Sequence, residues 1–173
     1  MDKFEGVTQS QNFDKEDQFS ILNLFSVATE KVLKQMTGID AEINNFQRRH
    51  ISCLSKDVIV EINVSGRWVG SCIFVLDSNT AFKLTSKMMG NMSVDDLEAE
   101  DMSSAISEFA NISVGHALIE LERQGIVAEM SPPIIKHNTD EQCQIVNCGE
   151  FSFCSFSTDV GEIEVGSFLV EGD

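Results

Sequence analysis

Residues 103–124 read SSAISEFANISVGHALIELERQ and are followed by Gly125. The run is rich in strong helix formers, and a glycine just past its end suits the left-handed position that closes a helix. At 3.6 residues per turn, Met102, Ala105, Ile106, Phe109, Ile112 and Ala117 gather on one side. That side predicts a core-facing stripe. The helical pattern extends upstream, so residues 95–124 are read as one long helix broken near Glu100. Beyond it, Ser131-Pro132-Pro133 fits neither a helix interior nor a central ladder, and marks an edge or strand-entry segment. Short strands are expected over residues 142–147, 150–157 and 162–170, with turns at Cys148-Gly149 and Asp159-Val160-Gly161.

Upstream, Val58, Val60, Ile62 and Val64 alternate with Asp57, Ile59, Glu61 and Asn63, and Ser65-Gly66 leads into a second β-rich run over residues 67–76. This predicts a hairpin. A short helix over 81–89 follows, with Ser78 and Asn79 as candidate N-caps and Gly90 behind it. Phe19, Leu22, Phe25, Thr29, Val32 and Met36 recur at helical spacing before Gly38, which predicts a helix over 18–37. The class is α+β, with long helices covering one face of a mainly antiparallel sheet. Residues 1–17 form an acidic extension expected to fray, and 18–173 a single domain.

The chain has 173 residues, 42% of them hydrophobic, enough for a substantial core. Its formal net charge of −16, from 12 basic and 28 acidic residues, disfavours nucleic acid and anionic membranes as partners. Cys53, Cys72, Cys143, Cys148 and Cys154 are odd in number, contain no Cys-x-x-Cys pair and read as reduced core thiols. No apolar leader opens the sequence and no segment is long and apolar enough to span a bilayer, so the cytoplasm is the expected location.

Gly38-Ile39-Asp40-Ala41-Glu42-Ile43 echoes Gly125-Ile126-Val127-Ala128-Glu129-Met130, and each follows a long helix and precedes a β-rich stretch. The pattern predicts two diverged helix-plus-strands halves.

On the 95–124 helix, Glu108 and Asn111 stand about 60° apart, away from the apolar stripe, and share their face with Ser104, Gly115 and Glu122. Gly115 costs about 1 kcal/mol of helix stability relative to alanine, which points to something approaching closely there. Spacing alone does not make this a site, because a polar helix face is ordinarily a solvated surface. Other candidates are weaker. His50, His116 and His137 lack metal-ligand spacing, and His116 reads as a satisfied structural histidine. Asp95, Asp96, Glu98, Glu100 and Asp101 suit a helix N-terminus, and Met88, Met89 and Met92 read as packing under the short helix.

Glu108-Phe-Ala-Asn111, then Gly115, Leu118, Leu121, Gly125 and the Ser131-Pro132-Pro133 exit, resembles the signature of the CheC/CheX/FliY family of response-regulator phosphatases. Residues 19–170 fit that family's order of elements, and its two-halved build matches the internal echo. Aligning the halves on Gly38 and Gly125 sets Ile21 and Leu24 against Glu108 and Asn111, so the first helix lacks the motif. One site per chain follows, the CheX arrangement. The long acidic extension and Lys136-His137-Asn138, where family members often carry glycine, depart from the pattern.

The resemblance implies a phosphatase acting on the aspartyl phosphate of a CheY-like receiver protein. Asn111 would orient the attacking water and Glu108 would pair with the receiver's lysine, while Mg²⁺ is supplied by the partner and no cofactor is bound by this chain. The alternative of another class is a non-enzymatic FliM-like module that binds a phosphorylated receiver. A homodimer through sheet edges is also expected, with Phe151, Phe153 and Phe156 near the end of the sheet.

Overall fold

The computed structural model describes residues 15–51, 54, 56–137 and 149–172. Its elements are helix α1 (Lys15–Thr37), strands β1 (Glu42–Ile51), β2 (Val58–Gly66) and β3 (Trp68–Leu76), helix α2 (Ser78–Met88), a 3-10 turn (Val94–Asp96), helix α3 (Ala99–Arg123), and strands β4 (Ala128–Met130), β5 (Ile134–His137), β6 (Gly149–Thr158) and β7 (Gly161–Glu171). The expected strand over 142–147 lies outside the described residues. Among the described residues no helix is long and apolar enough to cross a membrane.

The strands make one antiparallel sheet in the order β1-β6-β7-β3-β2-β4, with β5 also on β2. The hairpins β2–β3 and β6–β7 meet at the centre through β3 and β7. Each is flanked by a strand from the other half: β1 on β6, and β4 with β5 on β2. This exchange is what two related halves produce about a pseudo-twofold axis. The glycines of the sequence echo close both long helices, Gly38 at φ 74° and Gly125 at φ 83°, a conformation that favours glycine.

Strand alternation decides which residues meet the helices. Val58, Val60, Ile62 and Val64 of β2, Phe74 and Leu76 of β3, Phe156 of β6 and Ile163 and Val165 of β7 join the helices in the main core. The opposite face holds a second cluster: Ile59, Ile73, Val75, Phe151 and Phe153, with Ile51 and Leu54. Buried Glu61 is paired there with Lys136 (3.1 Å) and accepts from Ser71 Oγ, and Arg49 bonds Glu164 (2.8 Å) while lying over the Phe153 ring.

Several details differ from the sequence reading. The α2 cap is Asp77, whose carboxylate accepts from the Thr80 amide at 2.7 Å; Ser78 and Asn79 already lie in the first turn. The aspartate ends β3 in extended backbone, which is the geometry a cap needs. The break before α3 falls at Leu97 and Glu98, where Asp101 Oδ2 accepts from the Glu98 amide at 2.9 Å, so that one acid of the cluster has a capping role. Met89 and Met92 do not pack beneath α2: each is 41% exposed, because the chain turns outward at Gly90 and Asn91. Phe151, Phe153 and Phe156 are fully buried within the chain and offer nothing to a second copy. Ser131-Pro132-Pro133 separates β4 from β5 along the β2 edge, as expected of prolines. Cys72 and Cys154 are free and buried. Burial pushes the Cys72 thiol well above its ordinary value; burial raises Cys154 to about 11, opposed in part by a hydrogen bond with Ser26. Cys53, Cys143 and Cys148 lie outside the described residues.

Candidate active site

Of the two residues between Glu108 and Asn111, the first anchors them. Phe109 is fully buried and meets Phe74 of β3 edge to face, with centroids 5.8 Å apart, and Ser113 Oγ donates to the Phe109 carbonyl at 2.8 Å. The inward side of α3 runs through Ile106, Phe109, Ala110, Ser113, Val114, Ala117, Leu118 and Leu121, so the core stripe is broader than the apolar pattern predicts. Ile112, assigned to that stripe from the sequence, is only partly buried.

This packing fixes the rotation of α3 and presents the polar face outward. Glu108 is exposed, Asn111 is half-buried, and Ser104 and Glu122 on the same face are exposed. At a separation of three residues the two side chains start about 5–6 Å apart. Among the described residues neither has a hydrogen-bond or ion-pair partner, so both are available to an incoming molecule. Gly115 lies one turn on. Among the described residues a Cβ there would meet only Met130 Cε, at 3.8 Å, so their packing does not require the glycine. An acid, an amide and a gap thus lie in sequence along one rigid surface.

The other half shows what this face is not. Burial aligns α1 with α3 at one residue's difference from the glycine alignment. Ile21, Leu22, Phe25, Ser26, Thr29 and Leu33 then match Phe109, Ala110, Ser113, Val114, Ala117 and Leu121, all buried. Under the glycine alignment, buried Val32 would fall on Ile119, which is 51% exposed. The α1 counterparts of Glu108, Asn111 and Gly115 are therefore Ser20, Asn23 and Val27, rather than Ile21 and Leu24. The amide survives in α1, but the acid and the glycine do not.

His116 is half-buried between α1 and α3 and has no hydrogen-bond partner among the described residues, so it is not the satisfied histidine expected. His137 reaches Ser103 Oγ at 3.0 Å.

A helical layer thus lies over one antiparallel sheet of interleaved halves and carries Glu108 and Asn111 on an outer helix face. The chain belongs to the CheX family of chemotaxis phosphatases, whose model matches residues 58–157. It is 28% identical over 121 residues to the CheY-P phosphatase CheX of Thermotoga maritima, covering 69% of this chain and 77% of that one. It resembles the structure of the CheX-CheY-BeF3-Mg²⁺ complex from Borrelia burgdorferi with a TM-score of 0.71 and 26% identity, covering 87% of this chain and 98% of that one. The fold is shared, at TM-score 0.75 and 24% identity over 87% of this chain and 97% of the other, with a putative chemotaxis protein from Desulfovibrio vulgaris Hildenborough.

Proposed function

We propose that this protein dephosphorylates the aspartyl phosphate of a CheY-like response regulator, with Asn111 orienting the attacking water and Glu108 pairing with the regulator's lysine. The observation that carries the reading is the placement of both side chains, free of internal partners, on the outer face of a helix locked by Phe109. Family membership and the likeness to a CheX bound to a phosphate-mimicking CheY support it.

The chemistry follows from what a phosphorylated receiver already holds. Its own Mg²⁺ and lysine neutralise the phosphoryl oxygens, so electrostatic stabilisation is largely in place before docking. What remains is an ordered nucleophile. The Asn111 amide, which donates and accepts without charge, holds a water in line with the phosphorus. The water oxygen bonds to phosphorus, the P–O bond to the receiver carboxylate breaks with its electron pair left on the carboxylate, and inorganic phosphate leaves carrying the water's two protons. Glu108 fixes the register by a charge-assisted bond to the receiver lysine as the interface closes. Only α1's Asn23 remains of the equivalent face, which supports one site per chain. Among the described residues no strand pairs with the outer edge of β1, which supports a homodimer formed by strand pairing, to be checked by light scattering at micromolar concentration.

The decisive experiment is phosphate release from a phosphorylated CheY-like receiver. Asn111→Ala is expected to lower kcat by about 10²–10³-fold, the loss typical of one preorganised polar group, and to leave affinity for a BeF3⁻-loaded receiver unchanged. Glu108→Gln is expected to weaken that affinity as well, by a factor that shrinks as salt rises. Full turnover in Asn111→Ala would remove the mechanism. Binding by the native protein without any acceleration of phosphate release would leave a FliM-like binding module in its place.

A further inference from the structure

Helices α1 and α3 leave a groove of about 420 Å³ between their outer faces. Its walls include Val27, Ala28 and Ile119, and Lys31, His116 and Arg123 stand along it. Val27 is 52% exposed and Ile119 51%, the exposure of aliphatic side chains that the fold itself leaves uncovered. Neither figure follows from packing needs: the inner sides of both helices already fill the core.

The groove continues the Glu108 face. Ile119 is rotated only about 20° from Glu108 around α3 and lies about 16 Å further along its axis, with Gly115 between them. A standard interface of about 800 Å² per partner is roughly 30 Å across, so a protein docked over Glu108 and Gly115 also covers Ile119 and the groove beside it. The local charge is unusual for this molecule. In a chain of net charge −16, Lys31 has no ion-pair partner among the described residues, while Arg123 is held by Glu120 at 2.9 Å.

Resting on the function proposed above, we infer that this groove is the second contact of the docked receiver, taking an apolar side chain flanked by a carboxylate. The apolar group fills the space between Val27 and Ile119, and the carboxylate meets Lys31. Glu108 fixes the register at one end of the footprint and the groove supplies affinity and partner choice at the other. Removing the exposed Val27 and Ile119 surfaces from water on docking contributes affinity in proportion to the apolar area covered.

The test is binding of a single-domain CheY-like receiver from the same genome, loaded with BeF3⁻ and Mg²⁺, together with steady-state phosphate release. Val27→Glu and Ile119→Glu replace exposed residues and are expected to leave the melting temperature unchanged. Each is expected to raise Kd and KM at least tenfold with kcat preserved. Lys31→Glu is expected to weaken binding in a salt-dependent manner. Unchanged Kd in Ile119→Glu and Val27→Glu, alongside a weakened Glu108→Gln, would overturn the groove and leave the proposed function standing. If these variants instead alter only the oligomeric state in sedimentation, the groove holds a second copy and the inference is wrong. No binding or hydrolysis by the native protein would remove both.

Discussion

Gly115→Ala should make the protein more stable and less active. In the interior of α3 a glycine costs about 0.8–1 kcal/mol relative to alanine, through lost backbone entropy. Among the described residues the added Cβ meets only Met130 Cε at 3.8 Å, an ordinary contact that requires no movement. A gain of about 1 kcal/mol is expected, which for a chain of this size raises Tm by about 2–4 °C. The same methyl projects into the space where the receiver must approach. Crowding at a packed interface costs about 1–3 kcal/mol, so the KM for phosphorylated receiver should rise about 5–150-fold. Thermal unfolding and phosphate release on one preparation measure both quantities. A destabilised Gly115→Ala would show that the glycine serves the fold after all, and a stabilised variant with native KM would show that nothing approaches there.

Asp77→Ala should cost about 1 kcal/mol at neutral pH, measured by urea unfolding, because the Thr80 amide loses its acceptor. Partial burial pushes the Asp77 carboxyl up, but the Thr80 hydrogen bonds and the charges of Lys56 and Lys83 outweigh it, and the net shift is below the ordinary 3.8. A depressed folded value stabilises above the unfolded pKa, so the gap between native and variant should close as pH falls through the acid range below 3.8. Lys136→Met removes the ammonium 3.1 Å from the buried Glu61 carboxylate and should destabilise the fold, by up to about 3–5 kcal/mol, and adding Glu61→Met should recover most of that loss in the same urea titration.

What the sequence discloses depends on whether a residue's surroundings are local. The β2–β3 hairpin is legible because alternation and a Ser-Gly turn are both nearest-neighbour signals, and α3 because its formers and closing glycine lie within one run. Strand β1 carries no such signal: EINNFQRRHI is an edge strand with mostly exposed side chains, held by pairing to β6 about a hundred residues away. Phe151 and Phe153 of β6, expected near the end of the sheet and at a dimer edge, are interior because the sheet has a second buried face, built in part from β2 and β3, while Phe156 packs against the helices. Glu108 and Asn111 are legible as a face. That the packing of the described residues does not need Gly115 is visible only once Met130 is placed.

The alignment of the halves is the clearest case of a local signal misplacing a distant one. The closing glycine comes immediately after Thr37 in α1 but two residues after Arg123 in α3, so matching glycines rotates one helix against the other by a residue. Burial restores the register and sets Asn23 opposite Asn111. If the amide alone sufficed for turnover, α1 would be a second site. The roles assigned here say otherwise, because orienting water matters only in a docked complex. Ser20 cannot supply the acid's charge to a receiver lysine, and Val27 fills the gap that Gly115 leaves open. Asn23→Ala should therefore keep native kcat and KM, and Asn23→Ala combined with Asn111→Ala should be no slower than Asn111→Ala alone. A further loss in the double variant would mean that α1 retains activity and that acid and glycine are dispensable for docking.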